Sequence, residues 1–334
     1  MTAWELKTIF TGDGMDKIGV MLLNMGGPDS LSAVKPFLYN LFTDPYIANF
    51  GFMQKPLAWL ISNVRAGKLK KAYEKIGGKS PLKEITEAQA KALEEALGED
   101  FHVLVGMRYW HPFIEDSLEE FKKLNIKKVV AVSLYPQFCS ATTSSAVERF
   151  RELTNGNFEF KIISSWCDYP LFIEAWIEQI EKAFERHGSE CFVLFSAHGI
   201  PIYLHKKGDP YISEVQKTVN AIASKMKLKE FKICFQSRTG PLQWVKPSTE
   251  EVIKELSKTE IRKILIVPVS FVSDHIETLY EIDFVYKKMA NDLGLQLYRV
   301  DSLNTSSKFI EALKNLVLEC LQGGSEKCFT VKKL

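Results

Sequence analysis

The apolar run CFVLFSAHGIP, residues 191–201, breaks off in Ser196, Ala197, His198 and Gly199. Unbroken Val, Leu and Phe mark a strand buried on both faces of a parallel sheet, and ligands of open α/β sheets gather beyond the carboxyl ends of such strands. His198 therefore stands where chemistry takes place, and an imidazole with an ordinary pKa of about 6.5 can take up a proton near neutral pH. A second constellation, VPVSFVSDHIETLYEID at 267–283, also follows an apolar run. Ser273 and Asp274 are helix-capping types, and in a following helix Glu277 and Glu281 share one face at i and i+4. Carboxylates one turn apart repel unless a cation joins them. With His275 adjacent, they offer oxygen and nitrogen donors to a hard or borderline divalent cation such as Fe²⁺. Two plainer readings stand beside these. His198 is then an ordinary strand-end residue, and the two glutamates form a solvated face or a dipole-stabilised first turn.

The elements that must position these groups come twice. Apolar runs at 18–28, 101–112, 127–138 and 158–170 correspond in order to runs at 191–201, 231–241, 262–275 and 295–304. Asn24-Met25-Gly26-Gly27-Pro28 pairs with Ala197-His198-Gly199-Ile200-Pro201, and Arg108 pairs with Arg238. Helical patterns, among them 85–97, 170–186 and 249–257, lie between the runs. Strand alternating with helix predicts parallel sheets with right-handed crossovers. The expected fold is α/β, with two Rossmann-like domains facing a central cleft. Domain boundaries are expected at 1–170 and 171–321, with a tail at 322–334. First and third strands of such a sheet can be neighbours, which would bring His198 and the 273–283 segment to one cleft.

Composition narrows the class. A chain of 334 residues exceeds the usual size of one core, so two domains are expected. Lys+Arg 43 against Asp+Glu 41 leaves a net charge of +2, too little for a nucleic-acid binder that relies on broad phosphate attraction. The six cysteines form no C-x-x-C pair, and buried thiols in a reducing compartment are expected of them. The first residues lack a basic patch followed by an apolar core, and nowhere do 18 uncharged apolar residues run together. A cytoplasmic protein is expected.

The first half carries an insertion at about 45–80 that joins Phe50, Phe52, Trp59 and Leu60 to Arg65, Lys68, Lys70, Lys71 and Lys75. An apolar lip beside basic residues suits a flat hydrophobic ligand with carboxylate arms, or a membrane surface at the inner face. The plainer reading is an amphipathic helix packed on its own sheet. Aromatics at other strand ends, Tyr109, Trp110, Tyr135, Phe138, Trp166 and Trp244, supply walls for a large planar ring.

These motifs together resemble the ferrochelatases, which insert Fe²⁺ into a porphyrin to make haem. The resemblance runs from Ile18 to Leu321 and rests on LLNMGGPDSL (22–31), YEKIGGKSPL (73–82), GMRYWHP (106–112), LYPQF (134–138), FSAHGIP (195–201), GDPY (208–211), FQSRTGPLQWVKPST (235–249) and SDHIETLYEID (273–283). It implies that His198 is the catalytic histidine, acting as proton acceptor or metal ligand, and that Glu277 is its acidic partner. Asp274 and His275 would orient Glu277, and Glu281 would lie on the metal path. Porphyrin contacts are implied for Met25, Arg65, Lys68, Tyr73, Ser80, Arg108, Tyr109 and Trp244.

The chemistry agrees with this division of roles. A free porphyrin holds two N–H groups and two imine nitrogens in one plane, so an entering cation needs a buckled ring and two departing protons. Walls that bend the ring, a base and an anionic path for the metal are therefore required. Two departures from the family pattern stand out. Val285 lies where relatives extend the acidic ladder, with Asp283 on another face, and only Cys320 and Cys328 lie where some relatives ligate a [2Fe–2S] cluster. Neither a cluster nor any other tightly bound cofactor is expected; Fe²⁺ is substrate, and a monomer is favoured. The readings to be separated are protohaem-forming ferrochelatase, a chelatase for coproporphyrin or another tetrapyrrole, and a non-catalytic tetrapyrrole or metal carrier. Met25 leans toward protoporphyrin, because some coproporphyrin-using relatives have Tyr at that position.

Overall fold

The fold is taken from a computed structural model, which describes residues 17–154, 156–238, 240, 242–323 and the backbone of 328–330. Eight strands form where the apolar runs lie. β1 (Ile18–Asn24), β2 (Phe101–Met107), β3 (Lys128–Ser133) and β4 (Glu159–Ile163) build one parallel sheet, in the order β2-β1-β3-β4. β5 (Phe192–His198), β6 (Phe231–Gln236), β7 (Lys263–Pro268) and β8 (Gln296–Arg299) build the other, in the order β6-β5-β7-β8. The two orders are the same, as one duplicated unit requires. β9 (Cys328–Thr330) adds an antiparallel edge to β4, with Lys161 opposite Thr330.

Each sheet is covered on both faces, which is why its strands read as unbroken apolar runs. All seven residues of β1 are buried. The helix Pro170–His187 buries Trp176 and Ile180 in a core cluster that draws on both halves of the chain. The helix Ser307–Gln322 packs against it and returns to Leu82–Leu97, β3 and β4 of the first sheet. Polar contacts also tie the halves together. Gln89 Nε2 donates to Ser273 Oγ at 2.9 Å and to the Asn304 carbonyl at 2.8 Å, and Gln137 Nε2 donates to Thr218 Oγ1 at 2.9 Å. Glu214 accepts from the Phe138 N–H at 2.6 Å and from Ser165 Oγ at 2.8 Å. Burial raises the Glu214 carboxyl above its ordinary range.

The insertion is helical. Val34–Phe42 packs on the long helix Gln54–Glu74, whose buried face is Ala58, Ser62, Ala66, Ala72 and Tyr73. Small residues thus face inward. Phe52 is 95% exposed, Val64 74% and Trp59 58%, so the large apolar groups face outward, opposite to an amphipathic helix packed on its sheet. Among the described residues no helix is long and apolar enough to cross a membrane.

Four cysteines, Cys139, Cys167, Cys191 and Cys234, are buried thiols, and burial pushes Cys139 and Cys234 up to about 12. Cys320 is disulfide-bonded, which corrects the expectation of thiols throughout.

Candidate active site

β5 lies between β6 and β7, so His198 at its end has Gln236 of β6 on one side and the segment after β7 on the other. That segment is drawn in by the Val269 N–H, which donates to the Ser196 carbonyl at 3.0 Å. Ser270 Oγ accepts the His198 N–H at 2.9 Å. Gly199 admits no side chain: a Cβ there would stand 2.8 Å from the Gln236 carbonyl oxygen, which itself accepts the Gly199 N–H at 2.8 Å. The tight β5–β6 approach sets the backbone from which the imidazole projects.

His198 Nδ1 is 2.8 Å from Glu277 Oε2, and His275 Nε2 is 3.8 Å from the same oxygen. The His275 Nδ1 lies 3.1 Å from the Ser273 carbonyl, so its N–H donates there and leaves Nε2 toward Glu277. Phe271 touches both rings, with centroids 6.2 Å from His198 and 4.5 Å from His275. Burial disfavours a charged His198, but Glu277 beside it and Glu281 beyond outweigh burial and raise its pKa. Burial would raise Glu277 as well, yet the two histidines hold it far below the carboxylate range. Each group of the pair thus favours the charged form of the other. The side chains of His198 and Glu277 are 38% and 23% exposed, so the site opens to solvent.

Glu277 begins a π-wound segment, Glu277–Tyr286. This corrects the α-helix expected there, and Ile276, not Ser273 or Asp274, precedes its first residue. Asp274 gives that terminus no backbone cap: its carboxylate accepts from Thr278 Oγ1, Arg299, Ser302 and Asn304. Burial works against the charge, but Arg299 and these donors lower its pKa. Winding with i→i+5 bonds places Tyr286 over Glu281, and the Tyr286 hydroxyl donates to Glu281 Oε1 at 2.7 Å. Ser237, in the left-handed region at φ 66, gives Glu281 both its N–H at 2.9 Å and its hydroxyl. Gln236 Nε2 donates to Glu281 Oε2 at 3.2 Å and to the Glu277 carbonyl at 3.0 Å. Burial and Glu277 raise Glu281 against the pull of these donors. Asp283 faces Arg299 and not the ladder. Among the described residues no group of three or more His, Cys, Asp or Glu side chains is arranged to enclose a metal ion.

From the first half, Met25 packs in the same cluster as Tyr73, Tyr109 and Ile276, the neighbour of Glu277. Burial, then Glu277, raise the Tyr73 hydroxyl, with Ser80 opposing. Gly27 leaves room for Ser80, whose Oγ lies 2.5 Å from where a Cβ would stand. Arg108 Nη2 pairs with the buried Asp44 at 2.9 Å, and its Nε donates to Ser145 Oγ at 2.8 Å. Tyr109 is only 1% exposed and donates its hydroxyl to Asp44 at 2.7 Å, so it supports Arg108 from beneath. The Arg65 guanidinium lies 5.4 Å over the Phe42 ring, its pKa lowered by burial, while Lys68 faces solvent. Trp244 bridges to Pro201, just past His198. Sequence reasoning missed Asp44, Ser145, Gln236, Ser237, Ser270, Phe271, Tyr286 and Arg299. Gln236, Ser237, Ser270 and Phe271 lie inside the quoted motifs, and that membership was the one usable signal.

The same two-lobed frame is found in solved structures of the chelatase SirB. SirB from Bacillus subtilis, solved with Fe³⁺, superposes with a TM-score of 0.58 over 91% of this chain and 95% of its own, at 14% identity. The SirB structure in complex with cobalt gives a TM-score of 0.55 at 12% identity, covering 91% and 94%. Identity this low speaks for the fold alone. The chain belongs to the ferrochelatase family, whose model matches residues 17–321. The ferrochelatase of Aquifex aeolicus is 48% identical, with 90% of this chain and 98% of the relative covered. That of Geotalea uraniireducens is 45% identical over 90% and 97%, and that of Rippkaea orientalis 43% over 92% and 84%.

Proposed function

We propose that the protein inserts Fe²⁺ into protoporphyrin IX to give protohaem and two protons, the metal-insertion step of haem biosynthesis. The observation that carries this reading is the His198–Glu277 pair, 2.8 Å apart at the strand ends of a ferrochelatase-family chain. A carrier needs no base set against a carboxylate on a metal path. In this reading His198 accepts the pyrrole protons or ligates the metal, while Glu277 receives Fe²⁺ as it is delivered. His275 and Asp274 orient Glu277, and Glu281 lies further along the path. The iron keeps its oxidation state, so the reaction calls for no redox cofactor and we infer none, a [2Fe–2S] cluster included.

Met25, Tyr73, Ser80, Arg108, Tyr109 and Trp244 shape the ring pocket, and Arg65 with Lys68 meets the propionates. The outward Phe52, Trp59 and Val64 beside Lys55, Lys68 and Lys71 support peripheral contact with an anionic membrane surface by a protein otherwise in the cytoplasm. Anaerobic incubation with Fe²⁺ and either protoporphyrin IX or coproporphyrin III, followed by loss of porphyrin fluorescence, tests the reading. Multiple turnover with protoporphyrin is expected. Turnover with coproporphyrin alone would move the assignment to that substrate, and tight porphyrin binding without metal insertion would make the protein a carrier.

A further inference from the structure

The last residue of β8, Arg299, holds together two pieces of backbone that meet at the metal-facing carboxylate. Its Nη1 donates to Asp274 Oδ1 at 2.9 Å, in the segment ahead of Glu277. On its other side, Nε reaches Asp283 Oδ1 at 3.0 Å and Nη2 reaches Asp283 Oδ2 at 2.9 Å, six residues past Glu277 on the π-wound segment. The guanidinium is 10% exposed, and such a planar fork serves two carboxylates at fixed angles, which a lysine ammonium cannot do.

Asp274 passes the constraint on. Its carboxylate also accepts Thr278 Oγ1 at 3.0 Å, and Thr278 Oγ1 in turn accepts the His275 N–H at 3.0 Å. The far side is anchored as well, since Asn304 accepts the Asp274 N–H and donates to Asp274 Oδ2, both at 2.9 Å. His275 and Thr278, on either side of Ile276 and Glu277, therefore hang from one carboxylate, and Arg299 fixes that carboxylate relative to the next turn.

We propose that Arg299, acting through Asp274 and Asp283, is a positioning residue that sets Glu277 against His198 for metal capture. The inference rests on the chelatase reading. Loss of groups that orient metal ligands costs about 10- to 100-fold in metal affinity. Asp283→Asn and Arg299→Lys are the variants of choice, because each keeps the bulk of its side chain. Co²⁺ is titrated into porphyrin-free protein and its visible ligand-field band is followed, alongside KM for Fe²⁺, KM for porphyrin and the thermal midpoint.

Both variants are expected to bind Co²⁺ and Fe²⁺ about tenfold or more weakly, with porphyrin KM unchanged. Metal affinity equal to wild type overturns the proposal, whether or not the midpoint falls, because Arg299 is then a purely structural clamp. Parallel rises in both KM values also overturn it. Wild-type protein that gives neither a Co²⁺ band nor turnover refutes the chelatase reading itself, and this inference with it.

Discussion

Asp44 should be among the costliest polar side chains to remove, although no motif pointed to it. Its carboxylate is 1% exposed and serves Arg108 at 2.9 Å, Tyr109 at 2.7 Å and the Ser145 hydroxyl. Asp44→Ala strands a cation and two hydroxyls. Breaking a buried ion pair from one side costs about 3–5 kcal/mol. Here Arg108 is 24% exposed and keeps its bond to Ser145, and Tyr109 retains Ser145 Oγ at 3.2 Å, which favours the low end, about 3 kcal/mol. At roughly 2.1 cal/mol/K of unfolding entropy per residue, that loss lowers the thermal midpoint of a chain this size by about 4 °C. Tyr109→Phe removes the hydroxyl's bond to Asp44 and its weaker contact with Ser145 but leaves Asp44 paired, so about 1 kcal/mol is expected. Calorimetry of both variants is the assay, with porphyrin KM measured alongside. A midpoint for Asp44→Ala within a degree of wild type, or a larger loss in Tyr109→Phe, would refute the reasoning.

Three further outcomes are expected. His198→Ala should keep porphyrin binding by fluorescence and lose turnover by at least about 10²-fold, the usual share of a proton-transferring side chain; unchanged turnover would exclude His198 as the base. Ser248 and Glu251 cap the helix Thr249–Leu256 reciprocally, and the Ser248 N–H with Lys246 lowers Glu251 from 4.5 to about 2. With a depressed folded-state pKa, its contribution is complete above about pH 4.5 and fades as the pH falls toward 2. Stability measured against pH should lose that acid-side slope in Glu251→Gln. Replacing Phe52 and Trp59 with Ser should abolish co-sedimentation with phosphatidylglycerol vesicles while sparing turnover in detergent; equal sedimentation of both proteins would remove the lip from membrane contact.

The frame was legible because its causes are local and repeated. Two-sided burial makes a parallel strand read as an unbroken apolar run, so β1 to β8 were visible, and the repeat predicted the shared strand order. That order brought β7 beside β5, and with it Glu277 to His198. The lip was legible as a contrast of aromatics with lysines. The inward face of Ala58, Ser62 and Ala66 became clear only with the Val34–Phe42 helix packed against it.

What stayed hidden was set by contacts distant in sequence. An α-helical reading stacks Glu277, Glu281 and Val285, and by that spacing the ladder ends in an apolar residue. The observed winding shifts the partner of Glu281 to Tyr286, so the ladder ends in a hydroxyl instead. Runs of i→i+5 bonds are rare, and no periodicity in this segment marks one, because outside contacts hold it: Gln236 and Ser237 from the end of β6, and Arg299 from the end of β8. Arg299 is the clearest case. In the sequence it is one basic residue near a strand end, 25 residues from Asp274. Its place between two carboxylates follows only from β8 lying beside β7. The residue types of the candidate site can thus be read from motifs, while their arrangement also depends on Arg299, which no quoted motif contains.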